Sequence, residues 1–131
     1  MKKLVLIVIS IISFQFVQAQ SIMDKWPELK AFHSIMSQTF HPSEEGNLQP
    51  IKERSKEMME KAEQLADSKI PLEYKTDAIV KAVEQLKSDT KKLHKMIGNK
   101  ASDKEITAAL SALHDVFHQI VGLCKKENEQ H

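Results

Sequence analysis

The chain has 131 residues and a net charge of +1 at neutral pH, a length that suits one domain and is short for two. It has a single arginine, Arg54, and its many lysines alternate with acidic residues, which argues against a nucleic-acid-binding protein, since such a protein needs a basic face. Cys124 is the only cysteine, so no internal disulfide can form, and the fold is held by burial alone or with the help of a bound metal or cofactor.

Residues 1–19 have the pattern of a secretory signal peptide. Two lysines precede the apolar run 4–14, which has the length of an h-region and is too short to span a membrane as a helix. Residues 17–19 fit the small-x-small cleavage rule, so the mature chain is predicted to begin near Gln20 with a net charge of −1. We therefore expect a periplasmic or secreted protein without membrane attachment after cleavage; an uncleaved N-terminal anchor is the alternative.

Residues 20–131 are predicted to form an all-α domain, a single antiparallel up-down-up-down four-helix bundle. Apolar residues recur at helical spacing, and no stretch alternates as a strand does. The predicted helices cover about 23–40, 48–67, 73–97 and 103–125, with short connections between them.

The first predicted helix has a seam of apolar and histidine side chains at steps of three and four residues. Pro27 falls in its first turn, where a missing N–H is tolerated, and His41-Pro42 is predicted to end it, because a residue before proline avoids the α region. The seam residues are Ile22, Trp26, Leu29, His33, Met36 and Phe40.

The other three helices have equally regular seams. Gly98-Asn99 is a stop signal for the third helix, and Ser102 with Glu105 forms a capping box at the start of the fourth. The tail after Lys125 is polar and is predicted to fray. The predicted seams are Leu48, Ile51, Ser55, Met58, Ala62 and Leu65, then Ile79, Val83, Leu86, Thr90, Leu93 and Ile97, then Ile106, Leu110, Leu113, Phe117, Ile120 and Cys124.

Histidines from two helices are predicted to fall in one layer of the bundle. His33 occupies a seam position where leucine is expected, and His114 and His118 lie one turn apart on one face of the last helix. Residues of antiparallel neighbours pair symmetrically about their loops, which places His33 opposite roughly residue 116, with an error of about one turn, or ~5 Å. We therefore predict a metal site formed by His33, His114 and His118.

Further ligands and the identity of the metal are left open by the sequence. Met36 and Met58 are candidate additional ligands in the same layer, and water, Glu28 or Asp115 are alternatives. Imidazoles suit copper and zinc alike, and because they bind metals when neutral, affinity is expected to fall below about pH 6.

Three other histidines are predicted to lie outside this site. His41 is two turns from His33, so we expect it at the level of His94 and residue 108, in a possible second site or in a contact at the helix end. His94 and His131 are predicted to be solvated.

The topology, the helix lengths and the break near Pro71 resemble those of the cytochrome b562 and cytochrome c-prime family. The segment Val116-Phe117-His118-Gln119 is similar to the part of the last helix where those proteins carry the haem-ligating histidine, so the resemblance implies His118 as an axial ligand. Covalent haem is excluded, because the run from His114 to His118 lacks both cysteines of Cys-x-x-Cys-His. No methionine occupies the level of the second ligand of the b-type member.

Two alternative functions follow. One is a non-covalent haem b electron carrier with His118 as one ligand and His33 as the candidate second ligand. The other is a structural or protein-interaction module, for which the Phe32 and Ile35 side of the first helix is the best candidate for an exposed apolar strip. An enzyme is not expected, because no nucleophile motif, phosphate-binding loop or paired-carboxylate signature is present.

Overall fold

The computed structural model describes residues 19–130, and within this range the chain is all-α without strands. Residues 1–18 of the predicted signal peptide and His131 lie outside the described part. The elements are α1 (residues 19–25), α2 (Pro27–Glu44), α3 (Gln49–Asp67), a 3₁₀ turn (Leu72–Tyr74), α4 (Asp77–Gly98) and α5 (Asp103–Gln130).

The four long helices pack against their neighbours in the chain, and α5 returns to contact α2. His33 of α2 stacks on Phe117 of α5, whereas Phe40, further along α2, stacks on the earlier residue His114, so the two helices run antiparallel. The α2–α5 interface is the least extensive of the four. By length and hydropathy α5 is the one described helix that would suit a membrane span, a property that the core helix of a soluble protein shares.

The predicted seams of α3, α4 and α5 are confirmed. Every seam residue of α3 and α5 is buried, and so are those of α4 except Ile97, which is half-buried. Cys124 is fully buried, as its seam position predicts. The Ser102 hydroxyl accepts the backbone N–H of Glu105 at 3.2 Å, which caps the start of α5.

The first predicted helix is two helices in the structure. The backbone leaves the helical region at Trp26 (φ −131°, ψ 83°), because Pro27 clashes with a helical residue before it. Trp26 is fully buried, and its indole N–H donates to the Ser68 hydroxyl at 3.1 Å, so the break is anchored to the end of α3. Five helices therefore stand where four were predicted.

The prediction that His41-Pro42 ends the helix was wrong, since α2 continues through Pro42 to Glu44. Pro42 lies in the last turn of α2. Because proline has no backbone N–H, one helical hydrogen bond is missing there, in an exposed part of the helix. The backbone N–H groups of Glu45 and Asn47 both donate to the Pro42 carbonyl, and Gly46, with a φ of +84°, closes the turn into α3.

The buried face of α2 also differs from the predicted seam. His33 is exposed, whereas Phe32 and Ile35 are buried, so the predicted apolar strip for a protein partner does not exist. The phenyl ring of Phe32 packs against that of Phe117, with ring centroids 5.9 Å apart. Burying an aromatic ring gains about 1.5–3 kcal/mol, whereas an imidazole at the edge of the core keeps its contact with water.

The start of α4 and the end of α5 both differ from the sequence prediction. The predicted third helix began near Glu73, but this segment forms the 3₁₀ turn, and α4 begins after Thr76, whose hydroxyl accepts the N–H of Ile79 at 3.3 Å. The Tyr74 hydroxyl donates to the Asn128 side-chain oxygen at 3.0 Å. This contact holds the end of α5, which is helical to Gln130 instead of fraying after Lys125.

Candidate metal centre

A cleft of about 50 Å³ lies between α2 and α5, and four of the six histidines of the chain line it. This volume accommodates one or two water-sized groups, and so a metal ion with a small ligand. The lining residues are His33, Met36, Ser37, Phe40, His41, His114, Phe117 and His118.

His114 and His118 form the closest pair of potential ligands. Their Nε2 atoms are 3.0 Å apart, and the rings meet edge to face with centroids 4.3 Å apart. One neutral imidazole can donate its N–H to the other at this distance. Two nitrogens bound to one tetrahedral zinc ion at about 2.0–2.1 Å are about 3.3 Å apart, so the pair needs only a small adjustment to chelate an ion.

His33 reaches the same cleft from α2. Its ring is stacked on that of Phe117, with centroids 5.4 Å apart and an angle of 19° between the planes. Partial burial lowers the pKa of His33, and the charges of His118 and His41 lower it further. His33 is therefore neutral at neutral pH, and a neutral imidazole is the form that binds metals.

His114 is packed in the same way against the other wall of the cleft. The ring of Phe40 stacks on it, with centroids 3.8 Å apart and 11° between the planes. Partial burial lowers the pKa of His114, with a smaller contribution from the charge of His118, while Asp115 and Glu44 act in the opposite direction. Two imidazoles of the cleft are thus kept in the metal-binding form.

His41 lines this cleft and not a separate one. It was expected to lie outside the site of His33, His114 and His118, but it lines the same cleft as these three residues. Its side chain is 70% exposed, and its Nδ1 lies 3.4 Å from a carboxylate oxygen of Glu44. His41 is the outermost histidine of the cleft.

The remaining predicted residues divide between the cleft and the core. Met36 is almost fully buried and lines the cleft, whereas Met58 is fully buried and does not line it. His94 was predicted to be solvated, but its Nδ1 lies 2.8 Å from the hydroxyl of buried Ser55. The hydroxyl of Ser55 in the core is therefore satisfied by a hydrogen bond with His94.

The histidines do not form a complete metal site as they stand. Within residues 19–130, no group of three or more His, Cys, Asp or Glu side chains converges closely enough to hold an ion. A third imidazole ligand requires the exposed ring of His33 or His41 to move toward the pair on α5. Glu28 and Asp115 are not among the lining residues.

The two aromatic walls of the cleft, formed by Phe40 and Phe117, were not predicted from the sequence. Phe40 and Phe117 each precede a histidine of the cleft in the chain, and each stacks on a histidine of the opposite helix. The signal available in the sequence was this repeated Phe-His pair, at 40–41 and 117–118. The walls restrict His33 and His114 and exclude water from one face of each ring.

No family model matches the chain, and comparisons with curated proteins and with solved structures also find no match. Function is therefore inferred from the cleft itself.

Proposed function

We propose that the mature chain is an exported protein that binds a transition metal ion, of the copper or zinc class, in the cleft between α2 and α5. His114 and His118 chelate the ion and His33 supplies a third imidazole. The observation that carries this proposal is the 3.0 Å separation of the two Nε2 atoms in a cleft lined by two further histidines. The four long helices would form one antiparallel up-down-up-down bundle around it, with α1 appended, and the neighbour contacts between these helices support that arrangement.

The chemistry of the lining favours a transition metal over a hard cation. Magnesium and calcium take oxygen ligands, and no carboxylate side chain is among the residues that line the cleft. Imidazole nitrogens suit copper and zinc. The exposed edges of His33, His41 and His118 leave the ion open to exchange, which suits storage, buffering or delivery of a metal outside the cytoplasm better than a closed structural site.

Haem b is a less well supported ligand. The cleft beside His118 has about 50 Å³, whereas pockets for cofactors of drug size or larger are of the order of 300–1,000 Å³. A larger groove of about 590 Å³ lies between α1 and α2 and borders His33, but His118 does not line it. The small volume beside His118, the axial ligand implied by the resemblance to the cytochrome b562 family, therefore favours a metal ion over a macrocycle.

The test is a metal titration of the mature chain, purified without an affinity tag. Zn²⁺ and Cu²⁺ affinities are measured by competition with a chromophoric chelator for the wild type, His118→Ala, His33→Ala and the control His131→Ala. We expect one ion per chain, an affinity at least about tenfold lower for His118→Ala and His33→Ala, and no change for the control.

Two results would overturn the proposal. The first is an absence of saturable binding by the wild type. The second is an equal loss of affinity in all three variants, which would indicate non-specific histidine binding. Mass spectrometry of the native protein tests export, with a first residue near Gln20 expected and retention of residues 1–19 contradicting it.

A further inference from the structure

Met36 contributes the one sulfur atom among the residues that line the cleft. Its side chain is 1% exposed, so it forms the inner floor of the cleft while the histidine rings form the outer part. It lies three residues after His33 on α2, on the same side of the helix. A thioether does not titrate in the physiological range, so this donor is available at any pH at which the fold is intact.

The potential donors in the cleft are imidazole nitrogens, the thioether sulfur of Met36 and the hydroxyl of Ser37, without carboxylate or thiolate side chains. Zinc sites in proteins are built from cysteine, histidine and carboxylate ligands, and methionine does not belong to that set. Soft thioether ligands select the cuprous ion instead. The buried sulfur therefore distinguishes between the two metals that the histidines alone do not separate.

We propose, on the basis of the proposed function, that the physiological ligand of this cleft is Cu(I), bound by the thioether of Met36 together with the imidazoles of His33, His114 and His118. His41 stands at the open side of the cleft, where its exposed ring can take the ion from a donor molecule or pass it to an acceptor. No change of copper oxidation state is required for this role.

Met58 provides a matched control for Met36. Both methionines are buried, and leucine has a similar volume to methionine, so the same substitution is conservative at both positions. Met58, however, does not line the cleft. A loss of affinity specific to Met36→Leu would therefore reflect the sulfur and not the repacking of a buried methionine.

The experiment measures Cu(I) affinity under reducing, anaerobic conditions by competition with a chromophoric Cu(I) chelator, and Zn²⁺ affinity in parallel. We expect Met36→Leu to lower Cu(I) affinity by about tenfold or more, and to change Zn²⁺ affinity by less than about twofold. We expect Met58→Leu to change neither. X-ray absorption at the copper edge should detect one sulfur scatterer in the wild type and none in Met36→Leu.

The possible failures are distinguishable. Unchanged Cu(I) affinity in Met36→Leu, or a copper shell of nitrogen alone in the wild type, overturns the assignment of Met36 and leaves the histidine site standing. Absence of both Cu(I) and Zn²⁺ binding in the wild type overturns the proposed function together with this inference. If Met36→Leu does not fold, as judged by circular dichroism, the absorption spectrum of the wild type decides.

Discussion

Phe40 of α2 lies flat against the imidazole of His114 on α5, with ring centroids 3.8 Å apart and planes 11° from parallel. The contact joins two helices whose shared interface is the least extensive of the four between the long helices. It shields one face of a proposed metal ligand from water, so it affects both the stability of the fold and the chemistry of the cleft.

The first prediction concerns Phe40→Leu, which keeps an apolar side chain and removes the ring. We expect the free energy of unfolding to fall by about 1 kcal/mol, because an aromatic pair contributes about 0.5–1.5 kcal/mol beyond its buried area. The pKa of His114 should rise toward its ordinary value, since partial burial is the main cause of its shift. Denaturant unfolding and an NMR titration measure the two effects. Phe40→Tyr keeps the aromatic ring, so its free energy of unfolding and its pKa of His114 should equal those of the wild type. A change in either quantity would contradict the role of the stack.

The second prediction is a loss of stability in mild acid. The pKa values of His33 and His114 are lowered in the folded protein, so below the ordinary value of 6.5 the unfolded chain binds more protons than the folded one. The free energy of unfolding should therefore fall as pH decreases from 6.5 toward the folded pKa values, and these two groups should contribute no pH dependence above that window.

Thermal melting of the metal-free protein between about pH 7 and pH 5 measures this dependence. The double variant His33→Gln, His114→Gln is the matched comparison, because it removes the two imidazoles and keeps every carboxylate of the chain. The decrease in melting temperature with falling pH should be smaller in the variant than in the wild type. An equal decrease in both proteins would mean that the two histidines do not cause the loss of stability.

The third prediction concerns the thiol of Cys124. Burial raises its pKa to about 12, so at pH 8 the folded protein holds the thiol in its unreactive protonated form. We expect slow alkylation by iodoacetamide in buffer and rapid alkylation in concentrated denaturant. Rapid modification of the folded protein, or a dimer that disappears on reduction, would show that Cys124 is accessible.

The fourth prediction separates the pair Ser55 and His94 from the metal centre. Ser55→Ala removes the partner of His94 Nδ1, and we expect the free energy of unfolding to fall by about 0.5–1.5 kcal/mol. Metal affinity should not change, because neither residue lines the cleft. Ser88→Ala, on the exposed face of α4, is the control and should leave stability within about 0.5 kcal/mol of the wild type. A change in metal affinity with Ser55→Ala would place this pair in the metal centre.

The buried faces of α3, α4 and α5 could be read from the sequence because each has an unbroken seam of spacing three and four. The buried face of α2 could not be predicted from the sequence. Trp26-Pro27 interrupts the helix, and two neighbouring residues, Phe32 and His33, are alternatives for the same place in the core. Which of the two is buried depends on the partner Phe117, which periodicity does not identify.

The candidate site was predictable at the level of the backbone and not of the side chains. Counting residues about the loops placed His33 opposite roughly residue 116, and in the structure it stacks on Phe117. The position of His41 in the same cleft was missed, because its separation of two helical turns from His33 was expected to keep it out of the site. The orientation of each ring depends on its χ angles and on the aromatic walls, which the sequence pattern does not fix.

The contact between α2 and α5 brings together the first and the last long helix, so His33 and Phe117 are far apart in the chain and adjacent in the fold. Contacts of this sequence separation form late, after the local helix pairs, because closing the intervening chain costs entropy. An ion bound in the cleft would therefore link α2 to α5 and stabilise the contact between the first and the last long helix. Separation of α2 from α5 alone, with the other helices still paired, would release the ion without unfolding the whole protein.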